Sequence, residues 1–174
     1  GTGLLLSRCR FMFLDDFSSH FSEKVFAEMR GVSDSNGQSP LWDALGSKFF
    51  DMEFSEADML SGLGNKSFIA ELMPKYPIYL PMLPDAARAV IGRVHENTEP
   101  ALKMLQAEGF NFNGMVDIFD GGPAVEAFIH SIRTVREGIN RHVMIRKKPL
   151  VTDVPAEQQV TISNRSLPPY RPSA

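Results

Sequence analysis

The sequence predicts an α+β fold built from two related half-units. Three observations point there. Stretches of helical apolar spacing alternate with short stretches of strand-like alternation. The segments SPLWDALGSKFF and EPALKMLQAEGF share one pattern, with Pro40 matching Pro100, Trp42 Leu102, Leu45 Leu105 and Phe50 Phe110. Each follows a strand-like run and a loop, so Arg30 and His95 fall at equivalent strand ends; chance likeness of two proline-started helices is the alternative. Glycine and proline punctuate the units, most clearly at Gly121-Gly122-Pro123.

Residues Gly1 to Phe21 read as a glycine turn entering a helix with Leu4, Leu5, Cys9, Met12, Phe13 and Phe17 on its apolar stripe. Gly-x-Gly before a helix fits an anion held on free N–H groups. It fits a flexible end before an ordinary helix as well. Lys24 to Arg30 alternates as a strand with Val25, Ala27 and Met29 on one face. Asn36-Gly37 marks a turn. Ser39 is the expected N-cap and Pro40 the first residue of a helix whose stripe is Leu41, Trp42, Leu45, Phe49 and Phe50. Met52 to Phe54 is expected to begin a strand, and Glu56 to Leu63 a short helix capped by Ser55. Lys66 to Leu72 fits either element. Pro74, Pro77, Pro81 and Pro84 make the next stretch irregular, and its interleaved Tyr76, Ile78, Tyr79 and Leu80 predict a packed wall.

The stretch from Val90 to Pro123 is the organising unit. A short helix from Asp85 leads to Arg93-Val94-His95, read as a strand end. A helix follows, with Thr98 as cap, Pro100 in its first turn and Gly109 at its stop. A strand region from Phe110 to Phe119 runs into the Gly-Gly-Pro turn, and Val125 to Glu137 is expected to be a helix with Ile129, Ile132 and Val135 inward. The remainder, with Arg141, Arg146, Lys147 and Lys148, reads as a solvated basic tail with a strand at QQVTISN.

Composition narrows the functional classes. The chain has 174 residues, 43% hydrophobic and 22% charged, enough for one domain with a substantial core. A net charge of −3 disfavours nucleic acid as the main partner. Cys9 is the lone cysteine, so an intrachain disulfide is excluded and a reducing, cytoplasmic setting is expected. No apolar run approaches the roughly 20 residues of a membrane-spanning helix. A start at Gly-Thr-Gly without Met, and an end at SLPPYRPSA, predict a piece of a longer protein.

Several runs carry a resemblance to a known family: GTGLLLSRCRFMF, AEMRGVSDSNGQSPLWDALGSKFFDMEFSEAD, NKSFIAELMPKYPIY, VIGRVHENTEPALKMLQAEGF, VDIFDGGPAVEA and IRTVRE. They resemble the arginine N-succinyltransferases, within the wider GNAT-like acyl-CoA N-acyltransferase fold. The resemblance covers most of residues 1 to 137. It implies a mixed, largely antiparallel sheet flanked by helices, truncated at its N-terminal side. Residues 1–54 would close a CoA-binding unit, 55–137 form a second unit carrying His95, and 138–174 a divergent tail. Gly1, Thr2 and Gly3 resemble the end of the fold's pyrophosphate loop. The reaction implied is transfer of succinyl from succinyl-CoA to the α-amino group of L-arginine in arginine catabolism, with His95 as proton donor and no metal. An oligomer with itself or a paralogous subunit is expected, without nucleic acid or membrane.

Acyl transfer to an amine needs a neutral amine, a stabilised oxyanion and a proton for the departing thiolate. Imidazole titrates near neutrality and suits that proton; a structural histidine bonding a loop carbonyl is the other reading of His95. Glu96 and Glu99 stand near enough in sequence to orient the ring. His20, His130 and His142 read as surface residues. Cys9, on the apolar face of a helix, reads as an inert thiol, which favours direct attack by the amine. For the guanidinium, Glu28, Glu71, Asp117, Asp120 and Glu126 are the candidate carboxylates. The competing readings are a GNAT-type amine acetyltransferase using acetyl-CoA, and a non-catalytic fragment or subunit.

Overall fold

The structure, a computed structural model, describes residues 2–63, 67–139 and 141. The chain forms two compact units, Gly1–Val25 with Phe128–Ala174, and Phe26–Ala127.

In the first unit, helix α1 (Thr2–Asp16) packs on α7 (Arg133–Arg136) and on the turn Ile129–Ser131. The helix is where the sequence placed it, but its inward face differs. Ser7 and Phe11 are buried, while Leu4, Leu5, Leu6 and Phe13 are exposed. With apolar residues on most of its circumference, spacing alone does not select the buried side. Phe13 stacks obliquely on Phe17 at 4.8 Å, and Ile129 N–H donates to the Glu23 carbonyl at 2.8 Å. Ile129 and Ile132 point inward, as expected. Most of the expected tail, including Arg146, Lys147, Lys148 and QQVTISN, lies outside the described residues.

The second unit contains most of a three-stranded sheet in the order β1 (Lys24–Glu28), β3 (Pro123–Phe128), β2 (Asn111–Val116). Strand β1 half-buries Val25 and Ala27 and exposes their neighbours, the alternation read in the sequence. Strands β2 and β3 pair antiparallel, Asn111 opposite Glu126 and Val116 opposite Pro123, with an irregularity between Phe112 and Val116. The helix expected over Val125 to Glu137 is corrected here to the end of strand β3, the turn Ile129–Ser131 and, at its far end only, the short helix α7. Pro123, Ala124, Val125 and Ala127 are all buried in the central strand, so no alternation betrays it.

Among the described residues two apolar clusters stand out. Trp42 sits in a π-helical turn, Trp42–Gly46, that runs into α2 (Ser47–Phe50). Its ring stacks on Phe50 at 5.4 Å and lies tilted against Phe119 at 5.3 Å, and its N–H donates to the Met52 carbonyl at 3.2 Å. A side chain at Gly46 would overlap that ring. Ser39 starts this helix with its carbonyl, which accepts from Asp43 N–H at 3.0 Å, rather than with its hydroxyl. No strand forms at Met52–Phe54, because α3 (Phe54–Gly62) begins there and turns Ala57 into the Trp42 cluster. α4 (Ser67–Leu72) settles the ambiguous stretch as helix. Leu41 packs with Leu83 and with Ala87 and Val90 of α5 (Asp85–Val90) in the other cluster. The proline-rich segment is irregular as expected, yet the packed wall is not: Tyr76 is 83% exposed and Met82 82%. Among the described residues no helix is long and apolar enough to cross a membrane.

Trp42→Ala empties the centre of one cluster and should cost about 3–5 kcal/mol of stability; denaturant unfolding monitored by circular dichroism checks it.

Candidate active site

The site is assembled by the turn that joins β2 to β3. Asp117, Phe119 and Asp120 leave the end of β2, and Gly121 and Gly122 reverse the chain. Asp117 N–H donates to the Gly122 carbonyl at 2.8 Å, and Gly121 N–H to the Asp117 carbonyl at 3.0 Å. Gly121 needs its positive φ of 76° for this reversal, a conformation that suits glycine. The buried Asp120 carboxylate accepts two backbone hydrogen bonds, from Gly31 N–H at 2.7 Å and Gly122 N–H at 2.8 Å. A Cβ on Gly31 would come within 2.5 Å of Asp120, and one on Gly122 would overlap the Met29 carbonyl.

His95 hangs from the same framework. Gly31 and Val94 form an isolated antiparallel bridge, and His95 N–H donates to the Arg30 carbonyl at 2.9 Å. The two strand ends related in the sequence repeat therefore meet, although the Arg93–His95 stretch makes only this bridge and no strand. Gly92 N–H donates to the Gly121 carbonyl at 2.8 Å and fixes the other side of the segment. The half-buried imidazole closes the turn Glu96–Thr98: its Nδ1 accepts from Asn97 N–H at 3.1 Å. Neither neighbouring carboxylate orients the ring; Glu99 pairs with Lys103 at 3.3 Å along α6 (Glu99–Ala107).

A cleft of about 550 Å³ opens beside this framework, lined by Glu28, Met29, Arg30, Phe54, Asp58, Gly62, Asp117, Phe119 and Asp120. His95 is not among its lining residues; it adjoins the cleft through its backbone bond to Arg30. Three of the candidate carboxylates, Glu28, Asp117 and Asp120, are brought together. Glu126 is engaged across the hairpin by Asn113 at 3.0 Å, and Glu71 is exposed on α4. Arg30, whose guanidinium also donates to Ser33 at 3.0 Å, and Asp58 on α3 join the cleft unannounced. For Arg30 a signal existed: Glu28 and Arg30 alternate with the inward Ala27 and Met29.

The carboxylates differ in state. Asp117 is pushed above the usual aspartate range, chiefly because burial desolvates it, and the charges of Asp120 and Glu28 act in the same direction. The Phe119 N–H, 2.7 Å from one oxygen, opposes that rise. Among the described residues the carboxylates are not grouped to hold a metal ion. What they suit is an organic cation with several N–H donors.

Of the other predicted residues, Gly1 lies outside the described residues. Thr2 and Gly3 form the first turn of α1 in the first unit, exposed, with no acidic side chain in that turn. A Cβ on Gly3 would meet nothing within 4 Å, so the turn is open to a phosphate group. Cys9 is a half-buried free thiol in the middle of α1. His20 and His130 are exposed, and His142 lies outside the described residues.

Comparison with known proteins bears on this arrangement. Residues 1–134 match the family model for arginine N-succinyltransferase beta subunit. A relative from Pseudomonas aeruginosa, arginine N-succinyltransferase subunit beta, is 60% identical over 138 residues, 79% of this chain and 41% of its own length. The arginine N-succinyltransferase of Yersinia pestis is 52% identical over 144 residues, 83% of this chain and 41% of its own. The solved structure of arginine/ornithine succinyltransferase subunit AI from Pseudomonas aeruginosa superposes with a TM-score of 0.67 at 40% identity, over 76% of this chain and 37% of that one. The chain thus spans about two-fifths of the length of the curated relatives it matches.

Because folding raises the Asp117 pKa above its ordinary 3.8, the folded state holds that proton more tightly than the unfolded one. The ionised side chain therefore burdens the fold at neutral pH, and the burden lifts as pH falls through the raised value. Asp117→Asn should raise the thermal midpoint at pH 7, with the gain shrinking on acidification toward the ordinary aspartate range; scanning calorimetry across pH checks it.

Proposed function

We propose a function from one premise: the chain belongs to the arginine N-succinyltransferase beta subunit family. In its full-length context it transfers the succinyl group of succinyl-CoA to the α-amino group of L-arginine, a step of arginine catabolism. The observation that supports this is the acidic cleft containing Arg30 and joined to His95 through the Arg30 carbonyl.

L-Arginine carries a guanidinium, a carboxylate and an amine, and the cleft offers a counterpart to the first two. Glu28 and Asp117 suit the guanidinium, whose fixed fork of donors matches carboxylates. Asp120 suits it less, since each of its oxygens already accepts a backbone N–H. The Arg30 guanidinium suits the α-carboxylate. The scheme requires that an arginine bound in that sense bring its α-amine to the side of the cleft that adjoins His95.

Succinyl-CoA supplies the activated acyl carbonyl; in the first unit, the exposed Thr2 and Gly3 at the start of α1 suit an anionic group such as a phosphate. The transfer needs no acyl-enzyme, and the half-buried Cys9 is left out of the reaction. The amine attacks the thioester carbonyl, the C–S bond breaks, and one proton must pass from nitrogen to sulfur. With Nδ1 accepting the Asn97 N–H, neutral His95 carries its hydrogen on Nε2. To act as donor the ring first takes up, at Nδ1 and in place of the Asn97 N–H, the proton released by the attacking nitrogen; the imidazolium then gives its Nε2 hydrogen to the departing thiolate and returns to neutral. Assembly into an oligomer, with itself or a related subunit, accords with the word subunit in the relative's name.

In the full-length context, His95→Ala should lower kcat by about 10²–10⁴-fold with little change in the KM for arginine, while Cys9→Ser keeps turnover near that of the parent. Steady-state assays with succinyl-CoA and arginine check both; unchanged kcat in His95→Ala, or a trapped succinylated Cys9, refutes the scheme. Equal turnover with acetyl-CoA would favour a general amine acetyltransferase instead. Asp117→Asn should raise the KM for arginine at least tenfold, in line with losing one charged hydrogen-bond partner worth about 1.5–3 kcal/mol.

A further inference from the structure

We infer that Asp120 is a positioning residue for His95, acting through the backbone rather than as a ligand of the substrate cation. The inference rests on the proposed role of His95 and adds to it a residue outside the reacting groups.

Asp120 lines the acidic cleft, and its charge alone would place it with Glu28 and Asp117 as a partner for a guanidinium. Its hydrogen bonds say otherwise. The residue is 8% exposed, and its two carboxylate oxygens take the N–H groups of Gly31 and Gly122 at 2.7 and 2.8 Å. Those two bonds tie the end of β1 to the Gly-Gly turn. The segment carrying His95 is suspended between the same two pieces. On one side Gly92 N–H donates to Gly121; on the other Val94 bridges Gly31 and His95 N–H donates to Arg30. The Met29 N–H, which donates to the Pro123 carbonyl at 3.1 Å, joins the same two supports further along, and the Asp120 carboxylate fixes their spacing where the His95 segment hangs.

The neighbourhood leaves little slack. A Cβ on either glycine would collide with Asp120 or with the Met29 backbone, so the end of β1 and the Gly-Gly turn are already as close as backbone allows. An asparagine in place of the aspartate would present an NH2 group where one of the two N–H donors now points. One support then parts from the other, and the imidazole moves with it. Sub-ångström placement matters for proton transfer, and a shift of about 1 Å can lower a rate a hundredfold.

A double-mutant cycle in the full-length context tests this, using Asp120→Asn, His95→Ala and the pair, assayed well below each variant's thermal midpoint. Asp120→Asn should lower kcat about ten- to a hundredfold while the arginine KM stays within about twofold, and it should cost almost nothing further when His95 is already alanine. Folded Asp120→Asn with normal kcat overturns the inference. So does an equal loss in the presence and absence of His95, or a rise in arginine KM that accounts for the whole effect. If His95→Ala is itself fully active, the proposed role of His95 fails instead. Hydrogen exchange then decides the structural half: the His95 amide should exchange faster in Asp120→Asn while amides within α6 do not, and unchanged exchange refutes it. Should Asp120→Asn not fold, Asp120→Ser, which keeps one acceptor and removes the clashing amide, takes its place under the same criteria.

Discussion

The double acceptance by the Asp120 carboxylate is the interaction on which the second unit depends. A buried ionised group is tolerated only when its oxygens are met by donors, and here both are met by main chain. The donors belong to residues 31 and 122, ninety-one positions apart, so one side chain closes a long loop that includes α2 to α6. Glycine at both positions follows directly, because no side chain fits between the two backbones. Without the acid, two buried N–H groups would lack acceptors, each at a cost of about 1–3 kcal/mol.

Asp117, three residues earlier in the same turn, is treated oppositely. It is desolvated, faces the charges of Asp120 and Glu28, and accepts the Phe119 N–H without enough compensation to restore its ordinary acidity. A fold optimised for stability alone would place an amide there. Unfavourable charge held in a cleft fits the role proposed for Asp117, since a bound cation relieves what the fold cannot. On the proposed reading, one turn divides its two carboxylates between scaffold and recognition.

Helices with strong end signals are legible in the sequence. Pro100 and Gly109 bracket α6, and alternation locates β1 between Lys24 and Glu28. The central strand is not legible, because Pro123 to Ala127 is covered on both faces and Val125, Ile129 and Ile132 happen to fall at helical spacing. The buried face of α1 escapes for a related reason, apolar residues on too many sides. At the site, residue type marks Glu28, Asp117 and Asp120 as candidates but not their division of labour, which lies in hydrogen bonds to residues about ninety positions away. Asp58 gives no signal, since a charged residue on a short helix looks like any solvated one. The proline-rich segment is apolar enough to suggest packing; its tyrosines instead face outward, as fixed φ angles stiffen a chain without turning its side chains inward.

The irregular pairing of β2 has a further consequence. This strand lies at the outside of the sheet and displays Phe112 and Met115, which are more than half exposed. A straight strand of that kind would be an adhesive surface for fibril-like stacking. The misregister between Phe112 and Val116, with Gly114 at a φ of 86°, breaks the even row of amides and carbonyls that a second strand would need to dock. The kink lets the chain keep greasy side chains at its margin while denying neighbours a template on which to polymerise.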